Sequence, residues 1–413
     1  MKPKIIKDDV IHFAKNYTGE KFHALLCDPP YHLQSIVKRF GKKDSAPAKF
    51  GSDGAFARAS KGFMGQEWDG GDIAFRPETW LDFGELLYPG AFGIAFASCR
   101  GYHRMAVAIE DAGFIIHPMI GWLYGQGFPK AHKIKGGKTF KEHRYGLQAL
   151  KPALEPLVVF QKPYEGKPLD CIKQTGAGTL NIGGCRIAGE EVPINKLEKW
   201  SGLGQEKHPK YKATKNTLGR WPANVVHDGS DEVVNAFPQS AGQLASSKTG
   251  GTPKTDKIYG VMRREATSML PRNDSGSAAR FFYAAKASKR EKESGLETDL
   301  HHDTFMMGGE KGKRRGSSLT YPDGTLRPQH MVVNNHPTVN PLALCKWLAT
   351  LLLPPDAYAP RRIFVPFAGS GSEMIGADIA GWEEIIGVEF MSEYVTLAKS
   401  RIAYWHTHKG DIK

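Results

Sequence analysis

Cysteine is scarce in this chain and unpatterned. Its five copies (Cys27, Cys99, Cys171, Cys185, Cys345) form no C-x-x-C pair. That argues against a disulfide framework and a cysteine zinc site, and makes a reducing compartment the default. Long apolar runs are missing too. The start, Met1-Lys2-Pro3-Lys4, lacks the apolar core of a secretion signal. The most apolar late stretch, Leu342 to Leu353, is interrupted by Lys346 and too short for a membrane span. There is no internal repeat and no complete G-x-G-x-x-G. Nor is there an acidic excess: the net charge is +13 over 413 residues. Such a charge suits a polyanionic partner, and equally a merely basic soluble protein. At 40% hydrophobic and 24% charged, the composition is ordinary for a globular protein. The length fits two or three domains, or one domain with a large insertion.

What is present centres on Leu25-Leu26-Cys27-Asp28-Pro29-Pro30-Tyr31. An apolar run ends in an acid, two prolines and an aromatic. Proline fixes φ and withholds its N–H, so a strand stops there in a stiff bend. Asp28 and Tyr31 would project from the carboxyl end of a strand, where open α/β sheets bind ligands. The competing reading is a plain proline turn with a surface tyrosine.

Around it, short apolar pieces alternate with helical ones. Ile5-Ile6, Phe22 to Cys27, Ala91 to Ala97, Phe114 to Tyr124 and Leu157 to Phe160 read as strands. Val10 to Tyr17, Trp80 to Leu87 and His103 to Ala112 read as helices. The alternation predicts a mainly parallel sheet. Residues 32 to 66 read as a mobile loop near the site. From about residue 165 to 335 the chain turns rich in Gly, Ser, Thr, Asn and Lys, with only a weak basic enrichment. Lys311-Gly312-Lys313-Arg314-Arg315 is its densest basic run, open to reading as a phosphate contact or as a solvated loop. The α/β pattern then returns. Pro341 to Leu353 predicts an amphipathic helix, Arg362 to Val365 a strand, Glu373 to Ala380 a helix, Ile385 to Val388 a strand and Tyr394 to Ala403 a closing helix.

Two constellations carry chemistry. Phe367-Ala368-Gly369-Ser370-Gly371 is a glycine turn between a strand and a helix, and Glu389 ends the next strand. Glycines admit close backbone approach, the helix N-terminus faces the ligand, and an acid there can accept both hydroxyls of a ribose. That suits an adenosine-containing cofactor; taken alone, the G-x-G could be a plain tight turn. The second is Asp28-Pro29-Pro30-Tyr31. An aromatic exocyclic amine is a poor nucleophile because its lone pair is delocalised into the ring. A carboxylate and a fixed carbonyl that both accept its N–H groups favour a more tetrahedral nitrogen. Asp28 and the Pro29 carbonyl suit that task, and Tyr31 offers a stacking face. Direct transfer by positioning and electrostatics follows, with the base flipped out of its duplex.

These motifs together resemble the amino-group DNA methyltransferases that use S-adenosylmethionine, which carry D-P-P-Y and F-x-G-x-G loops. The order, catalytic loop first and glycine loop last, resembles their circularly permuted β class, phage and prophage members included. Lys7-Asp8-Asp9 resembles the G-D motif, His336-Pro337-Thr338-Val339-Asn340-Pro341 the H-P-T-x-K-P motif, and Lys151-Pro152-Ala153-Leu154-Glu155-Pro156 the K-P-A-x-E-P segment beside the target base. Thr179 to Ile182, Gly219 to Asn224 and Ala278 to Tyr283 are similar to recurrent middle-region pieces. The chain departs at Val365, where Asp is usual, at Asn340, where Lys is commoner, and at Asp8, where Gly is commoner.

The resemblance implies an α/β, Rossmann-like methyltransferase fold, circularly permuted, with an inserted target-recognition region. Residues 1–164 would be the catalytic half, 165–335 the target-recognition region and 336–413 the cofactor half. Asp28, Pro29, Pro30 and Tyr31 would be catalytic. Asp9, Pro337, Thr338, Phe367, Gly369, Gly371 and Glu389 would bind S-adenosylmethionine. No metal is implied, because a sulfonium is already an activated methyl donor. Double-stranded DNA would be the partner, with a homodimer and a cognate restriction nuclease allowed, and the cytoplasm of a bacterial or phage-infected cell the location. Adenine N6 is the preferred target because the loop begins with Asp; cytosine N4 is the alternative, and a non-catalytic DNA-binding relative is another. Enzymes acting on RNA or protein amides usually have the reverse loop order and an Asn in place of Asp28.

Overall fold

A computed structural model describes residues 2–30, 72–134, 138–187, 192–199, 210–216, 219–239, 247–248, 268–269, 276–285, 291, 293–296 and 339–412. Its strands are β1 (Lys4–Lys7), β2 (Phe22–Cys27), β3 (Leu87–Phe96), β4 (Ile115–Leu123), β5 (Leu154–Gln161), β6 (Val225–His227), β7 (Tyr283–Ala284), β8 (Arg362–Pro366) and β9 (Glu384–Glu389). They form one nine-stranded sheet in the order β1-β9-β8-β2-β3-β5-β4-β6-β7. Every neighbouring pair is parallel except the two that β5 makes with β3 and β4. Short antiparallel hairpins stand outside it, among them Lys130–Lys133 with Arg144–Gln148.

The principal helices are α1 (Val10–Asn16), α2 (Pro77–Glu85), α3 (Tyr102–Asp111), α4 (Pro168–Thr175), α5 (Asp231–Ala236), α6 (Leu342–Leu352), α7 (Ser372–Ala380) and α8 (Ser392–Thr407). Side chains alternate across a strand, and β2 uses both faces. Leu25 and Cys27 point into a core with Val10 and Phe13 of α1, Trp80 and Phe83 of α2, and Met105 and Ile109 of α3. Ala24 and Leu26 point into the opposite core, with α6, Met374 and Ile375 of α7, and Ala398 and Ile402 of α8. Helices on both faces of an almost wholly parallel sheet define a Rossmann-like α/β fold. They also explain why these strands read as continuous apolar runs.

Three features differ from the sequence reading. β5 runs antiparallel, so its start, not its end, reaches the edge where the parallel strands finish. The sheet is wider than the two ends of the chain supply: β6 and β7 come from the middle region, with Val226 wholly buried. Helix α6 is not amphipathic: nine of its eleven residues are buried, and Lys346 escapes by reaching the Ile412 carbonyl at 2.9 Å. Val365 is wholly buried too, in the core on the α6, α7 and α8 side. Among the described residues no helix is long and apolar enough to cross a membrane.

Candidate cofactor and target-base site

Parallel neighbours end on the same edge, so the sheet order decides which loops meet. β1, β9, β8 and β2 are consecutive neighbours. Their carboxyl ends carry Asp8-Asp9, Glu389, the Phe367–Gly371 turn and Asp28-Pro29-Pro30. At about 4.8 Å per strand spacing, these four ends line up within roughly 14 Å. Because β5 is antiparallel, Lys151 to Pro156 arrives at this edge as well. The Ala97 amide, just past β3, donates to the Pro156 carbonyl at 3.0 Å.

Hydrogen bonds connect the loops. The Asp8 amide donates to the Glu389 carbonyl at 3.2 Å. Glu389 is buried and accepts the Gly369 amide on Oε2 at 2.9 Å and the Met391 amide on Oε1 at 2.7 Å. The Phe390 amide also bonds this carboxylate, and with about four lone-pair sites it keeps capacity for a hydroxyl. Burial pushes the Glu389 carboxyl above the ordinary range, and the backbone N–H groups oppose that shift. Asp9 caps α1, accepting from the amides of Ile11 at 2.9 Å and His12 at 3.0 Å through Oδ1. The cap anchors its carboxylate at the end of β1.

The glycine turn is built from left-handed backbone. Phe367 has φ 59°, Gly369 48° and Gly371 80°. A Cβ on Gly371 would stand 3.2 Å from the Ala398 Cβ, so a larger residue there is strained by its φ and crowds α8 as well. The Phe367 ring is half-buried, edge-on to Phe83 at 5.9 Å. This glycine cradle at the start of α7, with a buried carboxylate alongside, fits the nucleoside part of an adenosine-containing cofactor.

Asp28 is half-buried above two buried prolines. Its Oδ2 accepts from Asn340 Nδ2 at 3.1 Å, and the same nitrogen donates to Glu373 Oε1 at 2.7 Å. Beside Asp28, the Cys27 thiol is pushed well up, first by burial and then by the Asp28 and Glu373 charges. A thiol so held stays protonated and is no nucleophile.

Sequence reasoning missed two residues. Glu373, buried in the first turn of α7, shows as an acid at a helix N-terminus. Arg401 is wholly buried, and burial lowers its guanidinium to about 10. Its signal is a charged residue on the apolar stripe of α8, seven residues after buried Tyr394. Of the expected site residues, Tyr31, Pro337 and Thr338 lie outside the described residues. So do the loop 32–66 and the run Lys311 to Arg315. Among the middle-region pieces, Asn181 donates its amide to the Leu351 carbonyl at 2.8 Å, and Asn224 Nδ2 donates to the Met119 carbonyl at 3.0 Å. The first piece therefore lies against helix α6 and the second against strand β4.

No protein-family model matches the chain. The type II methyltransferase M.HindIII of Haemophilus influenzae is 26% identical over 183 residues, 39% of this chain and 58% of that protein. The match thus spans little more than half the length of that relative. Among solved structures, M1.HpyAVI in complex with SAM aligns over 97% of this chain and 98% of its own at 13% identity, with a TM-score of 0.38. The cytosine-N4-specific PvuII DNA methyltransferase aligns over 100% and 94% at 10% identity, with a TM-score of 0.43. In its motifs and in part of its sequence, the chain is similar to DNA methyltransferases.

Proposed function

We propose that the protein transfers a methyl group from S-adenosylmethionine to the exocyclic amino group of a flipped base in double-stranded DNA, with adenine N6 as the preferred target. One observation carries the reading: Asp28-Pro29-Pro30 and the Phe367–Gly371 turn leave adjacent parallel strands at one edge, with Glu389 beside them. S-adenosylmethionine supplies an electrophilic methyl on a sulfonium. The residues that would hold it are Asp9, Pro337, Thr338, Phe367, Gly369, Gly371 and Glu389. Gly369 and Gly371 admit it to the backbone, and Glu389 takes its ribose hydroxyls.

The catalytic work falls to the loop after β2. Asp28 and the Pro29 carbonyl accept the two N–H groups of the base and draw its nitrogen toward tetrahedral geometry. Pro29 and Pro30 hold those acceptors in place, and Tyr31 stacks on the base. Stiff, prepositioned acceptors need no reorganisation during the reaction. The early catalytic loop and late glycine loop are read as the circularly permuted arrangement, with residues 165–335 as the target-recognition region. Tritium transfer from labelled cofactor to duplex DNA tests the activity; no label on duplex or single-stranded DNA defeats it. Modified-base sequencing of DNA from expressing cells separates N6-methyladenine from N4-methylcytosine and reads out the recognised site.

A further inference from the structure

By sequence Asn340 is a departure at the end of His336 to Pro341. In the structure it is a bridge. Its Nδ2 reaches Glu373 Oε1 at 2.7 Å and Asp28 Oδ2 at 3.1 Å. An amide nitrogen carries two hydrogens, so one group can serve two carboxylates. Both ends of the bridge are anchored by other elements. Asn340 immediately precedes Pro341, the N-cap of α6. Glu373 sits in the first turn of α7 at 3% exposure, with the Cys345 thiol 3.8 Å from Oε1. Burial raises the Glu373 carboxyl, against the Asn340 hydrogen bond and the Arg401 charge. Two carboxylates in one pocket repel each other unless a donor lies between them.

We propose that Asn340, locked by Glu373, is a positioning residue that fixes the carboxylate plane of Asp28 before the base arrives. The proposal rests on the methyl-transfer reading above. Holding Oδ2 sets the rotation of the Asp28 side chain, a torsion that is otherwise broad. The weak N–H donors of an aromatic amine then meet a full anion, and charge-assisted hydrogen bonds are about twice as strong as neutral ones.

The test compares the full-length protein with Asn340→Leu, which removes the donor, and Asn340→Lys, whose ammonium reaches both carboxylates. The expected result for Asn340→Leu is a kcat for duplex methylation lower by about 10–100-fold, the scale of a small misplacement of a reacting group. Its S-adenosylmethionine affinity by calorimetry should stay unchanged. Asn340→Lys should recover most of that kcat. Wild-type turnover in Asn340→Leu, or a proportional loss of turnover and cofactor affinity, overturns the proposal while leaving the methyl-transfer reading intact. A wild-type protein that labels no DNA defeats that reading instead. The bridge is then judged by the ¹³C carboxyl signal of Asp28, assigned with Asp28→Asn. Losing a donor to the carboxylate raises its pKa, so Asp28 should titrate at higher pH in Asn340→Leu. The surrounding Glu373, Cys27 and Cys345, with Arg401 behind Glu373, are the same in both proteins. An unmoved midpoint overturns the bridge.

Discussion

Arg401 Nη1 donates to the Ser370 carbonyl at 2.5 Å and to the Ser370 hydroxyl at 2.9 Å, from a wholly buried position in α8. It also donates to the Ser372 hydroxyl at 3.2 Å, and through Nη2 to the Glu291 carbonyl at 3.2 Å. One guanidinium therefore holds the glycine turn from beneath. Replacing it strands buried acceptors at roughly 1–3 kcal/mol each. Arg401→Met is expected to lower the urea-unfolding free energy by a few such increments, and to weaken S-adenosylmethionine binding in calorimetry. Wild-type stability in this variant would show that the turn holds without the arginine.

Gly371 and Gly381 separate backbone strain from site geometry. Both are left-handed, at φ 80° and 99°. A Cβ on Gly381 meets nothing within 4 Å, whereas one on Gly371 meets Ala398 at 3.2 Å. The dihedral alone costs a non-glycine residue about 1–2 kcal/mol. Both alanine variants should therefore lose stability in chemical denaturation. Only Gly371→Ala should also lose cofactor affinity. Equal cofactor binding by the two would remove the turn from the site.

Glu389 makes stability depend on pH in a direction opposite to an ordinary paired carboxylate. Burial sets its folded pKa above the unfolded value near 4.5. Between those two values the folded state binds the extra proton, so stability falls as pH rises through the window. The cost of burying the charge is fully present above the folded pKa. Glu389→Gln removes that dependence while shifting its hydrogen bonds by a pH-independent amount. The stability of Glu389→Gln minus that of wild type should therefore increase with pH from about 4 upward. Urea titrations at several pH values check this, and a flat or falling difference refutes it.

Asp28→Ala should reduce methyl transfer by on the order of 10²–10³, the effect of deleting one prepositioned electrostatic group. Cofactor affinity should be nearly untouched, because the role proposed for Asp28 is to hold the base and not the cofactor. Single-turnover rates and calorimetry on the same preparation read the two separately. Parallel losses would move Asp28 to the cofactor side.

The sequence by itself determined the local pieces. The apolar run Phe22 to Cys27 broken by Pro29-Pro30, the turn Phe367 to Gly371 and the acid closing the next strand are each set within about twenty residues, by periodicity and turn chemistry. The resemblance to methyltransferases was legible at this level too, because motifs are local strings. Tertiary structure decided what those strings face. Asp28 and Asn340 are 312 positions apart, and no local signal joins them; they meet because β8 pairs with β2 while α6 and α7 pack on one face. Arg401 shows in the sequence only as a charge on the apolar stripe of α8, and its partners appear only when α8 closes on Gly371. Val225-Val226 and Phe281 to Ala285 stand out in the sequence only as the likeliest ordered pieces of the middle region; pairing makes them strands, Val225–His227 on the edge of β4 and Tyr283–Ala284 on the edge of Val225–His227. Strand pairing and burial are long-range, and which polar groups lose water, and must therefore find one another, is fixed only when the layers close.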